Sequence, residues 1–269
     1  MMSGKAIRLK RLFKHSDRLL VIPLDHGITI GPVKGLENMA QTIQKIAAGG
    51  ADAVVLHKGF AEQLGRLSTF SGCELILHLS ASTVLAPDPD CKKQVASVER
   101  ALELGATAIS VHVNLGSAAE AEMLRDFGMV SEQSSRWGLP LLAMMYIRDG
   151  SKSSEFDPVK LGHAARVAEE LGADLIKINY SGDPESFAQV ITGVTVPVII
   201  AGGPKMDAPQ QLLEMVADAM AAGARGVAFG RNVFQASHPD RLVKAVRQIL
   251  DQKLTKSDLK QLIQANRLA

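Results

Sequence analysis

The sequence predicts an α/β fold, a (β/α)8 barrel of the TIM type that forms a single domain over residues 1–269, with a short N-terminal helical extension. Three observations predict it. Four times a helical segment ends in glycine and runs directly into an apolar strand: AAGGADAVVLH (47–57), LELGATAISVHV (102–113), EELGADLIKI (169–178) and AAGARGVAFG (221–230). Four other strand candidates lie between these, Leu19 to Leu24, Glu74 to Leu79, Leu141 to Tyr146 and Val196 to Ala201, which makes eight. The glycines Gly50, Gly105, Gly172 and Gly223 are separated by 55, 67 and 51 residues, about two strand-helix units each, so they precede strands two, four, six and eight.

Each element follows from local chemistry. The first, KAIRLKRLFK (5–14), is basic but carries Ile7, Leu9, Leu12 and Phe13, which fits a helix packed on the domain better than one lying on a membrane surface. Glycine at the helix stop supplies the left-handed conformation that ends each helix, and an apolar run of four to six residues suits a parallel strand covered on both faces. A doubly wound open sheet is the competing arrangement, but no GxGxxG follows the first strand. No linker or low-complexity segment divides the chain.

Composition narrows the function. With 46% hydrophobic residues the chain can bury a large core, and a net charge of +2 gives no electrostatic reason to expect nucleic acid or an acidic membrane as partner. No apolar run approaches the roughly 18 residues of a membrane-spanning helix and no signal-peptide pattern opens the chain, so a cytoplasmic protein is expected. Cys73 and Cys91 form no CxxC and read as ordinary reduced residues.

In such a barrel the active site is built from the C-terminal ends of the strands. Those ends carry Asp25 and His26, His57 and Lys58, His78 and Ser80, His112 and Asn114, Tyr146 and Arg148, and then Lys177; strands seven and eight end in Ala201-Gly202-Gly203-Pro204 and Phe229-Gly230-Arg231-Asn232. Lys177 closes the apolar run Ala173 to Ile178. Burial disfavours a charged amine and so favours the neutral, nucleophilic form that makes Schiff bases with carbonyls; the alternative is a lysine that reaches the surface from a strand end. Tyr146 and Asp25 are candidates for proton transfer beside that amine, or else a packing residue and a loop brace. Gly202, Gly203 and Gly230 let backbone N–H groups approach an anion, with a helix N-terminus behind them and Arg231 able to complete a phosphate site. By position His26 and Arg148 join the substrate pocket. Four strand-end histidines invite a metal, but no HxH or HExxH pair is present, and neither metal nor other cofactor is expected.

The segments VIPLDHGITIGPVKGL, VVLHKG, LILHLSAST, APDPD, ISVHVNLGS, PLLAMMY, ADLIKINYSGD, VIIAGGPK and GVAFGRNVFQ together resemble the archaeal-type class I aldolases of the DhnA-like group, from about Arg8 to about Ile249. Within it, HLSAST, APDPD, HVNLGS and AMMY are more similar to the synthases that join aspartate semialdehyde to a ketose-phosphate-derived donor than to the fructose-bisphosphate aldolases. Two synthase branches exist, one making 2-amino-3,7-dideoxy-D-threo-hept-6-ulosonate and the other a phosphonooxyheptanoate from dihydroxyacetone phosphate; the second is slightly more similar. The resemblance implies Lys177 as Schiff-base lysine, Tyr146 as proton-transfer tyrosine, Asp25 as acid or base, Gly202, Gly203, Gly230 and Arg231 at the phosphate, and ring-shaped homo-oligomers, often decamers. The family's common YPRG after strand five reads Tyr146-Ile147-Arg148-Asp149-Gly150 here, and the wording after the lysine is INYSG. Two other functions compete: a thiolase-like acyl transfer to coenzyme A on the same framework, and a barrel that only binds a sugar phosphate.

Overall fold

The computed structural model describes residues 3–66, 72–252 and 254–268, and its centre is a barrel of eight parallel strands. They are β1 (Leu19–Pro23), β2 (Ala53–Leu56), β3 (Glu74–His78), β4 (Ala108–Leu115), β5 (Leu141–Ile147), β6 (Leu175–Ile178), β7 (Val198–Ala201) and β8 (Gly226–Ala228). Each pairs with the next in sequence, and β8 returns to β1 through Leu19↔Gly226, Leu20↔Val227 and Val21↔Ala228. All eight expected strands are present. Gly50, Gly105, Gly172 and Gly223 take φ of 93°, 74°, 91° and 103°, the conformation that stops the helix before each even-numbered strand. Closure itself needs a glycine: a Cβ on Gly226 (φ 147°) would lie 2.1 Å from the carbonyl oxygen of Leu19.

Two departures from the expected pattern matter for the site. β4 runs two residues beyond Val113, because it pairs with β5 without a break from Ile109↔Leu141 to Leu115↔Ile147. After β3 the chain makes a two-stranded antiparallel ribbon, Ser80–Ala81 with Lys93–Gln94, which lays the intervening loop over the barrel mouth. Strands of two residues carry no alternation by which a sequence could reveal them.

Side chains alternate in and out along each strand. Leu19, Val21, Ala53, Val55, Ile76, Ala108, Leu142, Met144, Leu175, Ile199 and Ala228 fill the barrel interior, while the opposite set, such as Leu20, Val54, Leu77, Ile109, Ile176 and Ile200, packs under the surrounding helices. A fully buried aliphatic side chain of this kind contributes roughly 1.5–3 kcal/mol.

The basic N-terminal segment is the helix Gly4–Leu12, capped by the Ser3 side chain. Leu9, Leu12 and Phe13 pack against the interior set. Lys5 pairs with Asp174 at 2.7 Å, Arg11 with Glu74 at 2.7 Å, and Arg8 donates to the carbonyl of Gly138 at 2.8 Å. Asp174, Glu74 and Gly138 lie at or just before the starts of β6, β3 and β5, so the helix closes the N-terminal end of the barrel. The C-terminal end is left for chemistry. Among the described residues no helix is long and apolar enough to cross a membrane.

Candidate active site

The alternation that fills the interior also decides what reaches the mouth. Lys177 is in step with Leu175, Tyr146 with Met144, His112 with Ala108, His78 with Ile76, and His57 with Val55, so all five point inward above the apolar layers. Asp25 follows β1 in step with Val21. The result is one mouth with two lobes sharing a floor. The first, about 300 Å³, is walled by Gly202, Gly203, Gly230 and Arg231; the second, about 330 Å³, by Asp25, His57, His78, His112, Asp90 and Lys92. Lys177, Tyr146, Arg148, His26 and Arg231 line both.

Lys177 sits where the lobes meet, 6% exposed, its register partner on β5 being Met144. Its Nζ lies 4.0 Å from Met144 Sδ and 5.9 Å from the centre of the Tyr146 ring. A thioether and a ring face leave the amine free to react. Tyr146 is held from both sides, stacked on His112 at 4.6 Å between centroids and covered by the Arg148 guanidinium at 5.4 Å. Arg148 is itself tied to Glu155 at 2.7 Å and stands 3.6 Å from Asp90. His112 Nε2 donates to Asn114 Oδ1 at 2.8 Å, and Asn114 Nδ2 donates to the carbonyl of Asp90 at 2.7 Å.

In the glycine lobe the cradle is set by contacts that exclude side chains. A Cβ on Gly230 would fall 2.3 Å from His26 Cε1, and one on Gly202 would fall 2.8 Å from the Phe229 ring. The loop after β7 is clamped to the loop after β8 by Asn232, whose Nδ2 donates to the carbonyls of Gly202 (2.9 Å) and Pro204 (3.1 Å) and whose Oδ1 accepts from the Met206 N–H at 2.7 Å. Arg231 Nη2 donates to the carbonyl of Gly203 at 3.1 Å. The helix behind Gly230 is a single turn, Arg231–Phe234, shorter than a full helix end would be.

The histidine lobe is defined by its charge states. Burial alone would raise the pKa of the Asp25 carboxyl, but His78, His26, Lys177 and His57 together outweigh it and hold the group at about 2. His78 is driven by burial to about 4 despite Asp25, and burial also lowers His26, His57 and, most strongly, His112. At neutral pH the lobe therefore holds the Asp25 carboxylate among neutral imidazoles. His78 Nδ1 is 2.8 Å from Ser110 Oγ, and its Nε2 lies 3.8 Å from Asp25. His26 Nδ1 is buried without a hydrogen-bond partner, 3.5 Å from Asp25. Among the described residues, no group of three His, Cys, Asp or Glu side chains is arranged to hold a metal ion.

Every residue singled out from the sequence, Lys177, Tyr146, Asp25, His26, Arg148, Gly202, Gly203, Gly230 and Arg231, lines one or both lobes. Sequence reasoning missed the Asn232 clamp, the Glu155 partner of Arg148, and Asp90 and Lys92 from the ribbon loop. Asp90 closes the APDPD segment that shares in the family resemblance, but nothing in that wording gave it or Lys92 a place in the pocket.

A (β/α)8 barrel with a buried amine in its mouth, flanked by a carboxylate, a phenol and a glycine-walled pocket beside an arginine, has the equipment of a class I aldolase. The chain belongs to the DeoC/LacD aldolase family, whose pattern it matches over residues 19–236. It is 43% identical over 248 residues to the 2-amino-4,5-dihydroxy-6-oxo-7-(phosphonooxy)heptanoate synthase of Streptomyces griseus, covering 92% of this chain and 90% of that protein. It is 45% identical over 249 residues to 2-amino-3,7-dideoxy-D-threo-hept-6-ulosonate synthase 1 of Archaeoglobus fulgidus, covering 93% and 92%. Its fold matches an archaeal fructose 1,6-bisphosphate aldolase with its catalytic lysine covalently bound to the carbinolamine intermediate, at a TM-score of 0.84 and 31% identity, over 92% of this chain and 99% of that one.

Proposed function

We propose that the protein is an aldol synthase that joins dihydroxyacetone phosphate to aspartate semialdehyde through a Schiff base at Lys177. The product named for the Streptomyces relative supports the choice of substrates. It is a β-hydroxy ketone, and breaking its C4–C5 bond in the retro-aldol sense gives dihydroxyacetone phosphate from C5–C7 and aspartate semialdehyde from C1–C4. The product named for the Archaeoglobus relative has the same C1–C4 fragment but no phosphate and a methyl group at C7, and it is the second reading.

The observation that carries the mechanism is a 6%-exposed amine between two cavities, one of them glycine-walled. The donor phosphate lies against Gly202, Gly203, Gly230 and Arg231, with His26 beside it, which directs the ketone carbon at Lys177. The amine adds to that carbon, and loss of water from the carbinolamine leaves an iminium. Removal of a proton from the neighbouring hydroxymethyl carbon gives an enamine, which attacks the aldehyde in the second lobe; hydrolysis then frees the ketone product and the amine. Tyr146 and Asp25 are the groups that move these protons. Arg148, spread over the Tyr146 ring, orients the phenol and borders the acceptor. No cofactor enters the sequence of steps. A ring-shaped homo-oligomer such as a decamer and a cytoplasmic location belong to the same reading; sedimentation of the purified chain and fractionation of cells test them.

The deciding experiment is a product assay by mass with dihydroxyacetone phosphate plus aspartate semialdehyde, run beside cleavage of fructose 1,6-bisphosphate, with borohydride trapping of the donor. A seven-carbon phosphorylated amino acid and an adduct on Lys177 are expected. Cleavage of the bisphosphate without formation of that product would overturn the choice of acceptor.

A further inference from the structure

Lys92 and Asp90 are the two charged groups of the histidine lobe to which the steps above give no part. Both come from the ribbon loop that leaves the barrel after β3 and folds back over its mouth. Asp90 is fixed from below, its carbonyl accepting from Asn114 and its backbone N–H donating to Asp88 Oδ1 at 2.9 Å, while its carboxylate remains 43% exposed, with Arg148 3.6 Å away. Lys92 is half-buried, and its Nζ donates to a neutral hydroxyl, Ser82 Oγ, at 2.5 Å. Burial lowers its pKa, opposed by Asp90 and Asp25, so an anion placed at its tip would stabilise the ammonium. The lobe thus presents a cation facing a hydroxyl and a carboxylate loosely paired with Arg148 at 3.6 Å, both lining the cavity that Lys177 also enters.

We propose that Lys92 and Asp90 form an α-amino-acid subsite, with Lys92 holding the carboxylate of the acceptor aldehyde and Asp90 its α-ammonium. This rests on the acceptor chemistry proposed above, and it names the residues that enforce it. Opposite charges lining one cavity are what a zwitterion requires, and a charge-assisted bond to each end fixes which way the aldehyde points. The same pair discriminates. A phosphorylated aldehyde seated at this pair would set about two negative charges against the Asp90 carboxylate, and unfavourable charge pairing of that kind is how a pocket rejects a competitor. In the glycine lobe the lining carboxylate, Glu155, is neutralised by Arg148 at 2.7 Å, so the donor phosphate meets a paired rather than an open carboxylate there.

The test compares aspartate semialdehyde with succinic semialdehyde, which lacks only the amino group, on the unaltered enzyme and on the variants Asp90→Asn and Lys92→Met. The unaltered enzyme is expected to prefer the amino aldehyde. Asp90→Asn is expected to raise KM for aspartate semialdehyde roughly ten- to a hundredfold and to leave succinic semialdehyde almost unchanged, whereas Lys92→Met raises KM for both. Borohydride adducts from dihydroxyacetone phosphate alone report separately on folding and on Lys177. If the unaltered enzyme yields no adduct, the Schiff-base reading fails; if adducts form but Asp90→Asn affects both aldehydes equally, or neither, the subsite is wrong.

Discussion

The two sides of the barrel mouth are built by different means. On the β7–β8 side the chain forms its pocket with backbone: glycines that admit no side chain, carbonyls clamped by Asn232, and one exposed arginine. On the β1–β4 side it uses side chains that converge from Asp25, His57, His78 and His112, 21 to 34 residues apart at each step, under a ribbon loop that supplies Asp90 and Lys92. A backbone cradle recognises a group found on many substrates, a phosphate, and it needs few residue types to do so. A side-chain lobe carries the charge pattern of one partner. The first is expected to tolerate little change in shape and the second little change in charge, and substitutions at the lysine between them reach both.

The largest effect is expected at that shared residue. Lys177→Met removes the amine while placing a side chain of similar length in a buried position, so the barrel should fold and turnover should vanish. Circular dichroism with a progress-curve assay checks both points. A folded Lys177→Met protein that keeps more than a few per cent of activity would remove the basis for treating the two lobes as one site.

Tyr146→Phe comes next and separates bond formation from proton movement. The phenol stands across from the amine, fixed between His112 and Arg148, and a general acid or base typically contributes about a hundred- to ten-thousandfold. Turnover is expected to fall by that amount, while borohydride still traps an adduct on Lys177. Near-normal turnover, or loss of all adduct, contradicts the assigned role.

Much of this could be read from residues alone, and the limits have physical causes. Strand order, the helix-stopping glycines and the strand-end residues are local signals, because a left-handed turn or a period of two acts over a few positions. Lys177, Tyr146 and Gly230 stand out because each is unusual where it occurs: an ammonium in an apolar run, a phenol ending a strand, a glycine opening a helix. Asp90, Lys92 and Asn232 are ordinary in sequence. The meaning of Asp90 and Asn232 comes from contacts with Asn114, Arg148 and Gly202, residues 24 to 58 positions distant, and that of Lys92 from the cavity it lines; no periodicity encodes such a meeting.

Acid should damage the two sides unequally. His78, 4% exposed, has its pKa lowered from 6.5 to about 4. Between those values the unfolded chain binds a proton that the folded chain refuses, so stability is full above about pH 6.5, falls as pH drops towards 4, and levels off below. At about 1.4 kcal/mol per unit, His78 accounts for about 3 kcal/mol of that loss. Asp25, held at about 2 against a usual 3.8, adds a second loss below pH 3.8. Urea unfolding between pH 7 and 4 is expected to show the first decline, and His78→Asn to flatten it. An equal slope in the variant would place the acid sensitivity elsewhere.

The smallest effect sharpens the contrast on the glycine side. Arg231 is exposed and donates to the carbonyl of Gly203, so it braces the cradle, and in the proposed reaction it also offers charge to the donor phosphate. That phosphate is remote from the bond being made, and losing an anchor of this kind weakens substrate and transition state together. Arg231→Ala is therefore expected to raise KM for dihydroxyacetone phosphate roughly ten- to a hundredfold, with a smaller change in kcat and none in KM for the aldehyde. Arg231→Lys separates the two contributions: an ammonium retains charge but has no planar fork to bridge the loop carbonyl and an anion together, so it should recover part of the loss. Unchanged donor kinetics in Arg231→Ala would leave the backbone N–H groups as the whole anchor, and the cradle would then work without any side-chain charge.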